Sequence, residues 1–243
     1  MKRMLRIGAL LLASALLCGC NAGKTVPEST TTETESPYPE ADKLIALTFD
    51  DGPNVHMGTM LDVLAQYDAK GTFFVIGKKI NSETAVYIQR AVQEGHEIGN
   101  HGFNHVKLTE LSEQEILDEV NKTQEAVSQI TGVAPRWFRS PFGATNEQTN
   151  ALIQMPRAGY AVKVGDGSNS NSADDRYMLL ISGAYDGAIA LLHVNDISAE
   201  ILPKMLETLK MQGYEFVTVS ELFARRNVEP APGTSYKDAK VAN

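Results

Sequence analysis

The sequence predicts an α/β fold of about seven parallel strands, closed into a (β/α) barrel rather than left as an open doubly wound sheet. Three observations carry this. Short apolar runs alternate with segments whose apolar residues recur at helical spacing, from Leu44 to Val219. The 243 residues are 43% hydrophobic and 21% charged, an ordinary globular composition that suits one large domain. The chemically active side chains fall at the C-terminal ends of five strands, and they converge on one cleft only if the sheet closes.

Taken in order, Leu44–Phe49 is the first strand, and Met57, Met60, Leu61 and Leu64 then form a helical stripe. Thr72–Ile76 is the second strand, followed by a helix with Ala85, Ile88 and Val92 turned inward. Glu97–Gly99 is a short third strand. A long helix opens at Ser112, with Glu115 completing a capping box, and stops before Gly132. Trp137–Arg139, Tyr160–Val164, Ala188–His193 and Glu215–Val219 supply the remaining strands. Between the last two, Leu202, Met205, Leu206 and Leu209 share one helix face, with Pro203 expected in the first turn.

The two ends of the chain read differently. Met1–Arg6 carries Lys2, Arg3 and Arg6 before an apolar run from Ile7 to Leu17, a secretory-type signal too short for a comfortable membrane span. It ends Leu17-Cys18-Gly19-Cys20, which resembles the bacterial lipobox. That resemblance implies removal of residues 1–19 and lipidation of Cys20, which would tether a secreted lipoprotein to the outer face of the cytoplasmic membrane or the cell envelope. A plain signal peptide cut near Gly19 or Ala22 is the alternative. Residues 20–42 read as a flexible tether, 43–226 as the folded body, and 227–243 as a polar tail that frays.

Charge and cysteine usage exclude several classes. The net charge is −8, and loss of the three basic residues of the signal leaves −11. Such a chain gains nothing from phosphate electrostatics, so nucleic acid is excluded as a partner. The two cysteines, Cys18 and Cys20, both precede the folded body, so it holds neither a disulfide framework nor a thiolate metal cluster.

The polar residues at the strand tips suggest chemistry. Asp50-Asp51-Gly52-Pro53 ends the first strand, and His101 and His105 follow the third. Arg139-Ser-Pro-Phe-Gly143 ends the fourth, Asp166 to Asn169 follows the fifth, and His193 ends the sixth. Two imidazoles four residues apart with one carboxylate are a common catalytic zinc set that leaves a position open for water. Adjacent acids at a strand end point to opposite sides, so one of Asp50 and Asp51 could bind a metal while the other stays free as a base. A His-x-x-x-His pair alone more often marks surface or core histidines. The double Asp, the Arg and the third His at neighbouring tips outweigh that bland reading.

Other candidates keep their structural readings. His96 is expected to be a hydrogen-bonded structural histidine, His56 a solvated loop residue and Trp137 part of the core. Gly71–Lys79 superficially matches a phosphate loop, but five residues separate its glycines and Lys79 stands where Ser or Thr should be.

At these motifs the sequence resembles a known family. Thr48-Phe-Asp-Asp-Gly-Pro53, His101-x-x-x-His105, Arg139-x-Pro-Phe-Gly143 and Leu191-Leu-His193 stand in the order of the polysaccharide deacetylases, the NodB-homology enzymes of carbohydrate esterase family 4. Gly71–Gly77, Gly95–His101 and Gly213–Leu222 look similar too, so the resemblance spans residues 43–223. It implies a distorted (β/α) barrel that removes acetyl groups from acetylated sugars with a divalent metal, zinc before cobalt or another ion. It implies Asp51, His101 and His105 as metal ligands, Asp50 as general base, Arg139 as the residue that holds the base, and His193 as general acid. Leu191 would shape the acetyl-methyl pocket, and the Phe142 backbone N–H would face the oxyanion. The expected substrate is an acetylated polysaccharide, first of all N-acetylglucosamine units of peptidoglycan or a chitin-like polymer. An O-acetyl esterase of xylan type and a catalytically impaired glycan-binding lipoprotein are the alternatives.

Two positions depart from the family pattern. Gly102 replaces the Ser or Thr that usually follows the first metal histidine, removing a hydroxyl beside the site. The family's Asp-x-x-Asp-Trp appears as Asp166-Gly-Ser-Asn169-Ser170. Asn169 thus stands where a carboxylate supports the acid histidine, with Asp166 or Asp196 as possible substitutes, and Ser170 stands where an aromatic ring walls the cleft.

Overall fold

The centre of the sheet is β1 (Lys43–Gly52), in which every residue from Leu44 to Asp50 is buried. Burial on both faces is what a parallel strand inside a β/α fold requires, and it explains the unbroken apolar run. The computed structural model describes residues 38–165 and 172–240, all of which lie in one compact unit.

The remaining elements follow in chain order. They are α1 (Val55–Gln66), β2 (Gly71–Val75), α2 (Ala85–Gln93), β3 (Glu97–Asn100) and α3 (Glu113–Thr131). Then come α4 (Glu147–Leu152), β4 (Arg157–Ala158), β5 (Val162–Lys163) and α5 (Ala173–Gly183). The chain finishes with β6 (Ala188–His193), α6 (Asp196–Met211), β7 (Tyr214–Phe216), α7 (Val219–Arg225) and β8 (Ser235–Tyr236).

The main sheet runs β3-β2-β1-β6-β5, with β7 beside the start of β1, and every pairing in it is parallel. Beyond β3 the wall continues through single bridges from Asn100 to Phe138 and from Phe138 to Arg157, and then through the β4–β8 pair. It returns to β6 through the bond from Ile189 N–H to the Lys237 carbonyl and the bridge between Ala188 and Asp238. The result is the distorted (β/α) barrel expected. Register places Asp50 beside His193 and Thr48 beside Leu191 at one end of it.

Packing follows the predicted stripes for most elements. Met57, Met60, Leu61 and Leu64 of α1 are all fully buried, as are Leu202, Met205, Leu206 and Leu209 of α6. Phe49 and Phe73 stack at 4.9 Å between β1 and β2. In α3, the Ser112 N–H donates to Glu115, and Gly132 ends the helix in the left-handed conformation at φ 76°.

Several expectations are corrected. Residues 227–240 do not fray: they supply β8 and bury Ala239. Trp137–Arg139 forms only the bridges at Phe138, not a strand. The last strand stops at Phe216 because the Thr218 side chain accepts the Glu221 N–H and starts α7. Val92 faces outward, and Ala91 takes the inward position on α2. Pro203 lies in the middle of α6 rather than its first turn, on a half-buried side of the helix. The signal, residues 20–37 of the tether and Cys20 lie outside the described residues, as do Asp166, Asn169 and Ser170, while the end of the tether is held to the body where the Asp42 N–H donates to the Gly213 carbonyl.

Candidate active site

The C-terminal ends of β1, β3 and β6 and the loop after Phe138 open into one cleft of about 530 Å³. It is lined by Asp50, Asp51, His101, His105, Arg139, Phe142, Leu191 and His193, so eight of the predicted site residues meet there. Asn169 is the remaining predicted cleft residue and lies outside the described residues.

Consecutive aspartates serve different neighbours because the backbone turns between them. Asp51 has φ 71°, which ends the extended run and swings its carboxylate towards His101 and His105. Its Oδ1 lies 3.5 Å from His101 Nε2 and 3.2 Å from His105 Nε2. Asp50 stays in the strand, 3% exposed, and its Oδ1 accepts a 2.8 Å bond from Arg139 Nη1. Arg139 is itself fixed: Nη1 also meets Thr48 Oγ1, Nε donates to the Ala158 carbonyl and Nη2 to that of Gly159. Its guanidinium lies 4.3 Å over the Phe74 ring. A buried ion pair with its donors satisfied in this way is rigid.

The residues present fit a divalent ion. One atom each from Asp51, His101 and His105 lie within 4.8 Å of one another. His101 Nδ1 sits 2.8 Å from the Arg139 carbonyl, which can only accept, so Nδ1 carries the hydrogen. In the neutral ring, Nε2 then turns a lone pair towards the carboxylates. Asp51 Oδ1 is buried and has no hydrogen-bond partner. Burial pushes the Asp51 carboxyl up, but the facing imidazoles of His101, His105 and His193 outweigh it and hold the pKa at about 2. Burial, with His101 beside it, holds His105 below the ordinary imidazole value despite the nearby carboxylates. An ionised carboxylate facing two imidazole rings is the donor set of a metal centre.

The rest of the cleft is set by local turns. Phe142 holds φ 59°, packs its ring tilted at 55° against His105 with the centroids 4.7 Å apart, and is 64% exposed at the rim. Its N–H has no partner among the described residues. Leu191 precedes His193 by two residues on β6 and therefore shares its face. Asp196, a proposed substitute carboxylate, accepts the adjacent Ile197 N–H at the exposed start of α6.

Sequence reasoning missed Arg157. It lines the cleft at 7% exposure, donates to the Gly233 carbonyl and leaves Nε and Nη1 without partners. Its strand is two residues long, too short for any periodic signal. The structural readings of His96 and Trp137 hold. Both are buried, His96 Nδ1 accepts the Gly71 N–H, and Trp137 Nε1 donates to Ser220. His56 is not among the cleft residues.

Barrel and cluster together define a (β/α)-barrel protein with a metal-type centre at the C-terminal ends of its strands. Comparison with known proteins then narrows the class. The polysaccharide deacetylase profile matches residues 38–161, and the chain belongs to that family. It is 37% identical over 226 residues, 92% of its length, to a bifunctional xylanase/deacetylase of Pseudobutyrivibrio xylanivorans, of which it covers 36%. It is 39% identical over 194 residues, 79% of its length, to the peptidoglycan-N-acetylglucosamine deacetylase PgdA of Listeria monocytogenes, of which it covers 41%. The chain thus spans about two fifths of the length of these relatives. Among solved structures, a family 4 acetyl xylan esterase from Clostridium thermocellum in complex with cobalt superposes with a TM-score of 0.78 at 35% identity. That match covers 81% of this chain and 98% of the esterase chain.

Proposed function

We propose that the chain is a metal-dependent hydrolase that removes N-acetyl groups from a cell-envelope or extracellular glycan, with N-acetylglucosamine of peptidoglycan the first candidate. The observation that carries this reading is the buried Asp51 oxygen that accepts no hydrogen bond and faces the His101 and His105 imidazoles, beside an Asp50 carboxylate clamped by Arg139.

Asp51, His101 and His105 would hold the ion, with zinc expected from the two-imidazole, one-carboxylate set. When bound, it would polarise the acetyl carbonyl and ease deprotonation of the attacking water. Asp50 takes that proton on the oxygen that Arg139 leaves free, and Arg139 keeps the carboxylate aimed. The Phe142 N–H, a fixed dipole at the rim, donates to the oxygen on which charge develops. An amine leaves poorly unless protonated, so His193, next to Asp50 in register, supplies a proton as the C–N bond breaks. Leu191 seats the acetyl methyl. Acetate and a free amino sugar result.

An O-acetyl esterase acting on xylan is the second reading. The xylanase/deacetylase and acetyl xylan esterase relatives favour it, and an ester needs less help from His193. The lipobox-like Leu17–Cys20 supports a lipid anchor at Cys20, which would place the cleft next to the cell envelope. Acetate release from peptidoglycan, chito-oligosaccharides and acetylated xylan, measured side by side with added zinc, tests these readings. Release from the amide substrates supports the first, and release from xylan alone supports the second. Saturable glycan binding with no release from any of them overturns both.

A further inference from the structure

The loop between the two expected metal histidines is held on both sides, and one side rests on a single buried carboxylate. The Gly102 and Phe103 carbonyls accept the Gly77 and Lys78 N–H groups, and the Asn104 carbonyl accepts Lys78 Nζ. The Gly102 N–H goes to the Asn100 side chain. The loop's remaining donors all turn to Glu119 on α3. Its Oε2 accepts the Phe103 N–H at 2.9 Å and the Asn104 N–H at 2.7 Å, and its Oε1 accepts Asn104 Nδ2 at 2.6 Å.

Glu119 is 6% exposed, and no ion pair among the described residues includes it. A buried carboxylate without a basic partner is costly unless several N–H groups satisfy it, and here three do. The loop needs such a hold because Gly102 and His105 adopt φ 72° and 58°, a region that L side chains such as that of His105 rarely occupy. Position 102 carries no side chain of its own. A Cβ there would meet Glu119 Oε2 at 3.3 Å, so the carboxylate borders the space of the missing side chain.

We propose that Glu119 is a positioning residue for the metal centre: it fixes the 102–104 backbone so that His101 and His105 face Asp51 before any ion arrives. This rests on the metal-ligand reading above. The relevant property is reach rather than charge, and two conservative variants separate these. Glu119→Gln keeps an oxygen where both backbone N–H groups need it, and its amide nitrogen can donate to Asn104 once that side-chain amide turns over. Glu119→Asp keeps the charge but falls one methylene short.

The test is calorimetric titration of cobalt(II) into the metal-free full chain, with amide hydrogen exchange at Phe103 and Asn104 followed in the same preparations. Glu119→Gln should bind cobalt within about threefold of the wild type and keep both amides protected. Glu119→Asp should bind about tenfold or more weakly and exchange both amides faster, the scale on which groups supporting metal ligands act. Any other ordering, including an Asp variant that binds like the wild type, overturns the proposal. No cobalt uptake by the wild type, with Phe103 and Asn104 still protected, would instead remove the metal-site reading on which the proposal stands.

Discussion

Lowering the pH should unfold this protein through His96. The ring is buried against Phe73, 5.8 Å away edge-on, and its Nδ1 accepts the Gly71 N–H at 3.1 Å. Protonation destroys that acceptor and places a charge in the core. Burial, helped by Lys70 and Arg90 and opposed by Glu94, lowers the His96 pKa from 6.5 to about 4. Because the folded value lies below the unfolded one, the unfolded chain binds the proton first. The stabilisation is therefore complete above pH 6.5 and lost as pH falls towards 4. At ~1.4 kcal/mol per unit, the window is worth about 3 kcal/mol, a large part of the ~5–15 kcal/mol of a typical domain. His96→Asn keeps an acceptor at the Nδ1 position and cannot titrate. Urea unfolding of both proteins from pH 8 to pH 4 should give a difference curve flat above pH 7 and falling by about 3 kcal/mol by pH 4. Parallel curves over that range would refute the reasoning.

Other outcomes follow from the same geometry. Purified protein should bind about one divalent ion per chain, and His101→Ala or His105→Ala should remove it, as read by metal analysis after dialysis. Cys20→Ala should move the protein out of the membrane fraction or block its processing, as read by fractionation and N-terminal sequencing. Asn169→Asp should place a negative charge where the polysaccharide deacetylase pattern implies one, favour protonated His193 and move the alkaline limb of the rate profile upward. His193→Ala should lose most amide hydrolysis but less activity on an activated aryl ester, which a pair of rate assays would show.

The legible parts of the fold were those with dense local signals. β1 and β6 are buried on both faces and so read as apolar runs, while α3 carries a cap at each end. The site was legible because its residues sit on strand tips, where neighbouring register brings Asp50 and His193 together. What escaped depends on tertiary context. β4 and β8 are two residues each and exist only as mutual partners, so no periodicity announces them. The tail reads as polar, yet its backbone bonds to β6 and buries Ala239. Pro203 costs α6 one hydrogen bond in mid-helix, a loss that Leu202, Met205 and Leu206 offset by burial. Nothing in the sequence sets Glu119 apart from the other acids of α3, and only the fold brings the 102–104 loop onto it.

The central claim is that Asp50 moves the proton at a metal centre held by its neighbours. Acetate release by the wild type and by Asp50→Asn, each with its metal content measured, tests it most directly. The account predicts that both proteins carry about one ion and that the variant is slower by about 10² to 10⁴. An equally active Asp50→Asn, or a wild type that holds the ion yet releases no acetate from any acetylated glycan, would contradict it.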